Sequence, residues 1–266
     1  FVRTYIRNRV GIGEARNLEI IPTEIGGQEI PGLRGELMFA QLDFELQYAI
    51  RDWLAIRGSF VILGRLGTDV QALLAEGVTM TSGFEFGWLA RLDESERTAL
   101  SLDLGLSNRD FTGINIAQFV EDVINGVPPN LVNKSPSMRG YGGLRWSWAA
   151  SPLVGVTARG LFGYAESLDR RSNDKVFGNL GVAVDFDVAG RTDLPLGVAV
   201  AYTYDTFPEF ASSAGSGLHG FGFRLSYVGR QDFLLSLDLG FEKYPQPLNE
   251  RAIEGGTMAI SMRYYF

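Results

Sequence analysis

Alternation of apolar and polar side chains, sustained over one stretch after another, constrains this chain more than any motif it carries. Between 35 and 50, Met38, Ala40, Leu42, Phe44, Leu46, Tyr48 and Ile50 share one parity, while Gln41, Asp43, Glu45 and Gln47 share the other. A period of two belongs to an extended strand with one apolar face. Four successive polar side chains on one face cannot enter a dry core unless every one is paired, so that face meets water or a polar interior. The final stretch, 256–266, repeats the pattern, with Met258, Ile260, Met262, Tyr264 and Phe266 opposite Ala259, Ser261, Arg263 and Tyr265.

The pattern recurs along nearly the whole chain. A first strand, Phe1 to Val10, sets Arg3, Arg7 and Arg9 against Val2, Ile6 and Val10; Trp53 to Leu66 sets Arg57, Ser59 and Arg65 against Leu54, Ile56, Phe60 and Ile62. Met80 to Leu92 carries Phe84, Phe86, Trp88 and Leu92 opposite Glu85 and Arg91, and Thr98 to Ser107 carries four leucines opposite Ser101 and Asp103. Met138 to Ala149 opposes Arg139, Tyr141 and Arg145 to Leu144, Trp146 and Trp148; Leu153 to Tyr164 opposes Thr157 and Arg159 to Val154, Val156, Phe162 and Tyr164. Phe177 to Val188 presents Asp185 and Asp187 inward, Leu194 to Asp205 presents Asp205, the strand through Phe221 presents Arg224, and the strand through Phe233 presents Asp238 and Glu242. With the closing strand the expected number is twelve. Gly11 to Arg34 reads as a loop.

Connections alternate in length as well. Arg51-Asp52, Asp93 to Arg97, Ala150 to Pro152, Ala189 to Asp193 and Gly229 to Asp232 are short, and the intervening segments are long. Outward aromatics fall at two heights: Tyr48, Trp146, Trp148, Tyr227, Phe233, Tyr264 and Phe266 toward the short turns, and Phe84, Tyr164, Tyr204, Phe221 and Phe241 toward the long loops. A soluble β-sandwich also uses short alternating strands, but it has no reason to sort aromatics by height.

An even number of strands, short turns on one side, long loops on the other and a terminal Phe266 behind Tyr264 together resemble the bacterial outer-membrane β-barrels. The resemblance implies an all-β fold: a single domain over 1–266, a twelve-stranded antiparallel transmembrane barrel with short periplasmic turns, both termini in the periplasm and long extracellular loops. It implies a bacterial outer-membrane location, and as partners the outer-membrane lipid and lipopolysaccharide, the barrel-assembly machinery that recognises the closing aromatics Tyr264 and Phe266, and an envelope protein as a further candidate. No specific family within that superfamily is marked by these residues.

Composition fits that expectation. Hydrophobic residues make up 45% of the chain with mean hydropathy near zero, as a barrel would show when its polar interior cancels its apolar exterior. No run of 18 apolar residues exists for a spanning helix. No charged-then-apolar leader opens the sequence, so an export signal is expected to have preceded Phe1. Cysteine is absent, which removes disulfides and thiolate metal sites. With 31 acids against 24 bases, nucleic acid is not an expected partner.

Inward charge is organised. Every inward base is arginine, and the signs change in blocks around the ring: Arg3, Arg7, Arg9 and Arg263; Asp43 and Glu45; Arg57 and Arg65; Glu85 with Arg91; Asp103; Arg139, Arg145 and Arg159; Asp185, Asp187 and Asp205; Arg224; Asp238 and Glu242. The guanidinium fork pairs bidentately with carboxylates, which suits a cross-strand lattice that stiffens the wall. The alternative is a polar path with separated acidic and basic sides, similar to the eyelets of porins, and the two coexist if the lattice leaves a gap. Twelve strands lie between the eight whose interior side chains fill and the sixteen that leave a channel.

Two loops carry helical patterns. Thr68 to Gly77 resembles a capped turn. Within Asn108 to Pro136, the longest loop, Ile116, Phe119, Val120, Val123 and Ile124 recur at helical spacing, as a constriction in the barrel mouth, a lid on the other loops or a partner's dock. The outer loops hold more acids than bases, which predicts a weak cation preference if the barrel conducts.

Catalysis and cofactors are not expected. Twelve-stranded outer-membrane lipid hydrolases exist, but the lone His219 is followed two residues on by Phe221 rather than serine, and Ser212, Ser213 and Ser216 lie in a loop with no orienting carboxylate. No His or Cys cluster or calcium-loop pattern is present. The expected function is a porin-like channel for small hydrophilic solutes or ions, with a loop-constricted lumen; the alternatives are a closed barrel that scaffolds or binds an envelope partner and, remotely, a lipid hydrolase.

Overall fold

Strands that are apolar on one face only and polar on the other can satisfy all their backbone groups without an edge by closing into a ring, and this chain does so. The computed structural model describes residues 2–19, 23–25, 28–30, 34–66, 78–114, 132–165, 175–189, 192, 194–206, 217–244 and 253–266. Twelve strands form one closed antiparallel barrel: β1 (Tyr5–Glu19), β4 (Arg34–Arg51), β5 (Leu54–Leu66), β6 (Val78–Glu94), β7 (Thr98–Ile114), β8 (Val132–Ser151), β9 (Val154–Ala165), β10 (Lys175–Asp187), β11 (Leu196–Asp205), β12 (Leu218–Tyr227), β13 (Phe233–Tyr244) and β14 (Ile253–Tyr265). Each strand pairs with its sequence neighbour in the ring, and β14 returns to pair with β1, Arg7 opposite Arg263 and Val10 opposite Ile260. Closure removes the edge strands that would otherwise invite aggregation.

Part of Gly11 to Arg34, expected as loop, is strand. β1 continues to Glu19 against β4, and β2 (Thr23–Ile25) pairs with β3 (Gln28–Ile30) in a separate two-stranded sheet. Likewise Asn108–Ile114 and Val132–Ser137 extend the β7–β8 pair beyond the expected loop boundary. On β1 the extension carries charge on the outward parity, Glu14 pairing with Arg16 at 2.6 Å. A strand above the bilayer needs no apolar face, so it loses the alternation that marks the lipid-embedded part. The two expected loop helices, including Ile116, Phe119, Val120, Val123 and Ile124, lie outside the described residues.

The outside of the ring is apolar and open. Phe162 is 66% exposed, Leu180 60%, Ile260 57% and Phe223 41%, far more contiguous hydrocarbon than a water-soluble monomer presents. Aromatics cap this band: Trp146 stacks on Trp148 with centroids 6.1 Å apart, Tyr264 meets Phe266 edge-on at 5.0 Å, and toward the long loops Tyr202 packs on Phe221 at 5.1 Å. The inverse holds within: among described residues the buried apolar side chains are few, Ala55, Leu89, Ala99, Phe177 and Ala259, beside buried Gln47, Ser101, Asp103, Arg139 and Ser261.

Candidate functional site in the barrel interior

Because inward parity gathers the arginines and carboxylates on one face of the strands, cross-strand register decides which charges meet. Arg7 stands opposite Glu45, and Arg9 opposite Asp43, in the β1–β4 pair; the resulting ion pairs measure 2.5 Å and 3.3 Å. Tyr5 donates a short hydrogen bond to Glu45, and Gln41 Nε2 donates to both oxygens of Asp43 at 3.1 and 2.9 Å. Gln47 closes the lower end by donating to the Arg3 carbonyl at 2.8 Å. Arg263 lies over the Tyr5 ring at 4.8 Å and donates to the Tyr265 hydroxyl at 3.3 Å.

A second knot joins β5 to β8. Arg57 Nη2 is 2.8 Å from Glu85 and 2.9 Å from Asp103 Oδ1, and Arg145 Nη2 donates to Asp103 Oδ2 at 2.9 Å. Asp103 Oδ1 has no aligned hydrogen bond despite its distance to Arg57, so Arg145 makes the stronger contact of the two. Asp103 is fully buried, with fully buried Leu89 opposite it across β6–β7. Tyr141 donates to Glu85 while Arg57 donates to its oxygen. Tyr141 reaches that position by crossing bare backbone at Gly105, where a Cβ would collide with its ring and hydroxyl.

Around the rest of the ring the charges are spaced more widely. Arg139 lies 3.9 Å from Asp205 and 5.1 Å from the Phe177 ring centroid, and Asn179 donates to Asp205 at 3.1 Å. Arg224 binds Asp238 with both fork nitrogens, at 2.6 and 3.2 Å, and Ser236 adds a third donor at 3.1 Å. Asp185 and Asp187 are exposed, and Asp187 accepts from the Ala189 amide at 2.9 Å in the following turn. Arg91 pairs with Glu94 at the end of β6.

A cavity of about 1140 Å3 occupies the interior. Its lining runs from Arg3, Arg91, Glu94 and Tyr265 at the short-turn end to Phe177, Asn179 and Asp205 at the long-loop ends of β10 and β11. Of the residues predicted from sequence, Arg3, Arg7, Asp43, Glu45, Arg57, Glu85, Arg91, Arg139, Arg145, Arg159, Asp205 and Arg263 line it. Asp103 sits in the wall beneath two arginines, and Asp185, Asp187, Arg224 and Asp238 lie outside the lining. Tyr5, Gln41, Gln47, Tyr141 and Asn179 belong to the same network; selecting candidates by charge passed over them, although inward parity marks all five. The lining holds nine arginines (3, 7, 9, 57, 91, 139, 145, 159 and 263) and five carboxylates (43, 45, 85, 94 and 205). The cavity lining is thus more basic than the interior as a whole, where Asp103, Asp185, Asp187 and Asp238 outside the lining, against Arg224, keep the near balance expected from parity.

Tyr264 and Phe266 stand outward at the lower rim, Phe266 71% exposed. His219 also faces outward, its Nδ1 2.8 Å from the Tyr202 hydroxyl and its ring 5.1 Å from that of Tyr204. That environment is an aromatic cluster at the outer surface, with no serine among the described partners of His219.

No family model and no curated protein sequence matches the chain. Solved structures do. The NanC porin superposes with a TM-score of 0.55 at 8% identity, over 99% of this chain and 100% of its own. The translocator domain of the autotransporter NalP from Neisseria meningitidis gives 0.55 at 7%, over 100% and 89%. An outer-membrane channel from Pseudomonas putida F1 gives 0.53 at 13%, over 100% and 96%. The fold is that of the bacterial outer-membrane β-barrels, and the exposed apolar band is the surface such a barrel turns to lipid.

Proposed function

We propose that this barrel resides in a bacterial outer membrane as a channel for small hydrophilic solutes. The observation that carries the reading is the polar cavity, which runs from Arg3, Arg91 and Tyr265 at the short-turn end up to Arg9, Gln41, Ser107 and Arg139. A side-chain-filled barrel would have no such path, and twelve strands are enough to leave one when the inward residues gather against the wall. They do gather: Arg57, Glu85, Asp103, Tyr141 and Arg145 hold one another close to β5–β8. Ala183, Ala199, Ala201 and Gly222, inward on β10–β12, add almost no bulk on the other side. The excess of arginine in the lining favours anions inside the cavity, while the acidic outer loops favour cations at the mouth.

The outward band and its aromatics serve as the contact with lipid and lipopolysaccharide, and Tyr264 with Phe266 as the segment read by the assembly machinery. The tight Arg–carboxylate lattice supports a second reading, a closed barrel that scaffolds an envelope partner. Swelling of liposomes in solutions of uncharged sugars separates the two. Swelling that slows as the sugar grows supports the channel; protein-bearing liposomes that stay at the rate of empty ones, with the barrel shown folded by heat-modifiable migration, exclude it.

A further inference from the structure

Two inward arginine pairs stand directly opposite each other across neighbouring strands, Arg7 with Arg263 and Arg145 with Arg159. Like charges facing across a strand pair repel, so each pair needs a counter-charge or a means of holding the guanidinium groups apart. In the first pair both members are provided for: Arg7 binds Glu45, and Arg263 rests on Tyr5 and reaches Tyr265. In the second only Arg145 has a partner, Asp103, and its Nε is buried with no acceptor. Arg159 makes no ion pair or hydrogen bond with any described residue, yet it lines the cavity. Its stem lies across Gly181, where a Cβ would come within 3.3 Å of both Cγ and Nε. The strongest charge acting on it is that of Arg145, ahead of Glu85 and Asp103.

Resting on the channel reading, we propose that Arg145 and Arg159 form an anion-binding station in the lumen, recognising a carboxylate or phosphate group on the passing solute. Arg159 is the primary ligand, since none of its five donors is taken. Arg145, oriented by Asp103, contributes its remaining donors from the facing strand. A planar oxyanion bound between the two would neutralise their repulsion and accept from both forks. The station lies beside Arg57, whose Nη2 is already held by Glu85 and Tyr141, so Arg159 is the guanidinium of this cluster left without a carboxylate.

The test uses citrate as the probe, added to one side of a planar bilayer carrying open channels in potassium chloride, with the reduction of current read as a binding constant. Arg159→Gln removes the free guanidinium and breaks no pair, so folding is expected to survive; Arg159→Lys keeps the charge and loses the fork. Arg224→Gln, three strands away on β12 and outside the cavity lining, removes the same charge without touching the station. The expected result is citrate block weakened about tenfold or more by Arg159→Gln, the loss of one charged hydrogen-bonding partner, a smaller loss in Arg159→Lys, and less than about a twofold change in Arg224→Gln. Equal losses in Arg159→Gln and Arg224→Gln, or none in either, would overturn the station while leaving the channel intact. Absence of any current from the folded wild type counts against the channel alone. Calorimetric titration of citrate into detergent-solubilised protein then decides the station: binding lost in Arg159→Gln supports it, and heats that are equal or absent in both proteins refute it.

Discussion

Replacing Asp103 by Asn keeps the side chain's shape and removes the one charge shared by Arg57 and Arg145. The carboxylate is fully buried, its Arg57 partner's side chain is 11% exposed and its Arg145 partner's 26%. Breaking a buried pair by removing one member costs roughly 3–5 kcal/mol when the other charge is left stranded. Here the stranding is partial. Arg57 keeps Glu85 at 2.8 Å and the Tyr141 hydroxyl, and Arg145 can turn toward lumen water. Against that, the new amide nitrogen brings two donors against guanidinium donors at a site with no solvent exposure. The expected loss is therefore roughly 2–3 kcal/mol, below the full figure for a stranded buried charge. Asp238→Asn is the comparison, because its partner Arg224 is 35% exposed and hydrated; roughly 1 kcal/mol is expected there. Tryptophan fluorescence during equilibrium unfolding in guanidinium chloride, with the barrel refolded into phosphocholine vesicles, measures both. If Asp103→Asn loses no more than Asp238→Asn, the β5–β8 knot is not the dry, interdependent cluster described above.

Other substitutions probe the two faces and the lower rim. Val182→Arg points into the bilayer near the middle of β10 and should cost roughly 2–4 kcal/mol, whereas Ala183→Arg, facing Ala201 across the interior surface, should cost under about 1 kcal/mol in the same unfolding assay; equal damage would contradict the assignment of faces. Ala201→Trp, placed on the wall of small residues, should lower single-channel conductance without changing the unfolding midpoint, and an unchanged conductance would show that the path does not use that wall. Phe266→Ala should leave refolding in vitro unaffected, because the ring is mostly exposed, while reducing the amount of protein in isolated outer membranes; normal membrane levels would remove it as an assembly signal.

The lipid-embedded part of the fold was legible because the bilayer imposes its own selection on outward side chains. Leu102, Val182 and Ile260 are apolar for the same reason wherever they fall in the sequence, and the polar residues between them identify the interior. Where the strands leave the bilayer that selection ends, so β1 beyond Val10 and β7 beyond Ser107 show no alternation although their pairing continues. Inside, parity locates a residue but not its neighbours. Ser101 and Ala183 both point inward, yet Ser101 is 6% exposed opposite Arg145, while Ala183 faces the sparsely filled wall. Arg145 and Arg159 read as equal members of a basic block; only the register and the placement of Asp103 separate the paired from the unpaired one. Tyr141 was readable as inward, but its role depends on Gly105 in the neighbouring strand, a relation that no local pattern encodes.

Single-channel recording from purified protein in a planar bilayer, under a gradient of potassium chloride, tests the central claim most directly. Discrete current steps with a reversal potential displaced toward that of chloride are predicted by a conducting lumen through a cavity whose lining carries nine arginines against five carboxylates. Silence from a preparation whose heat-modifiable migration shows the barrel to be folded would contradict the account.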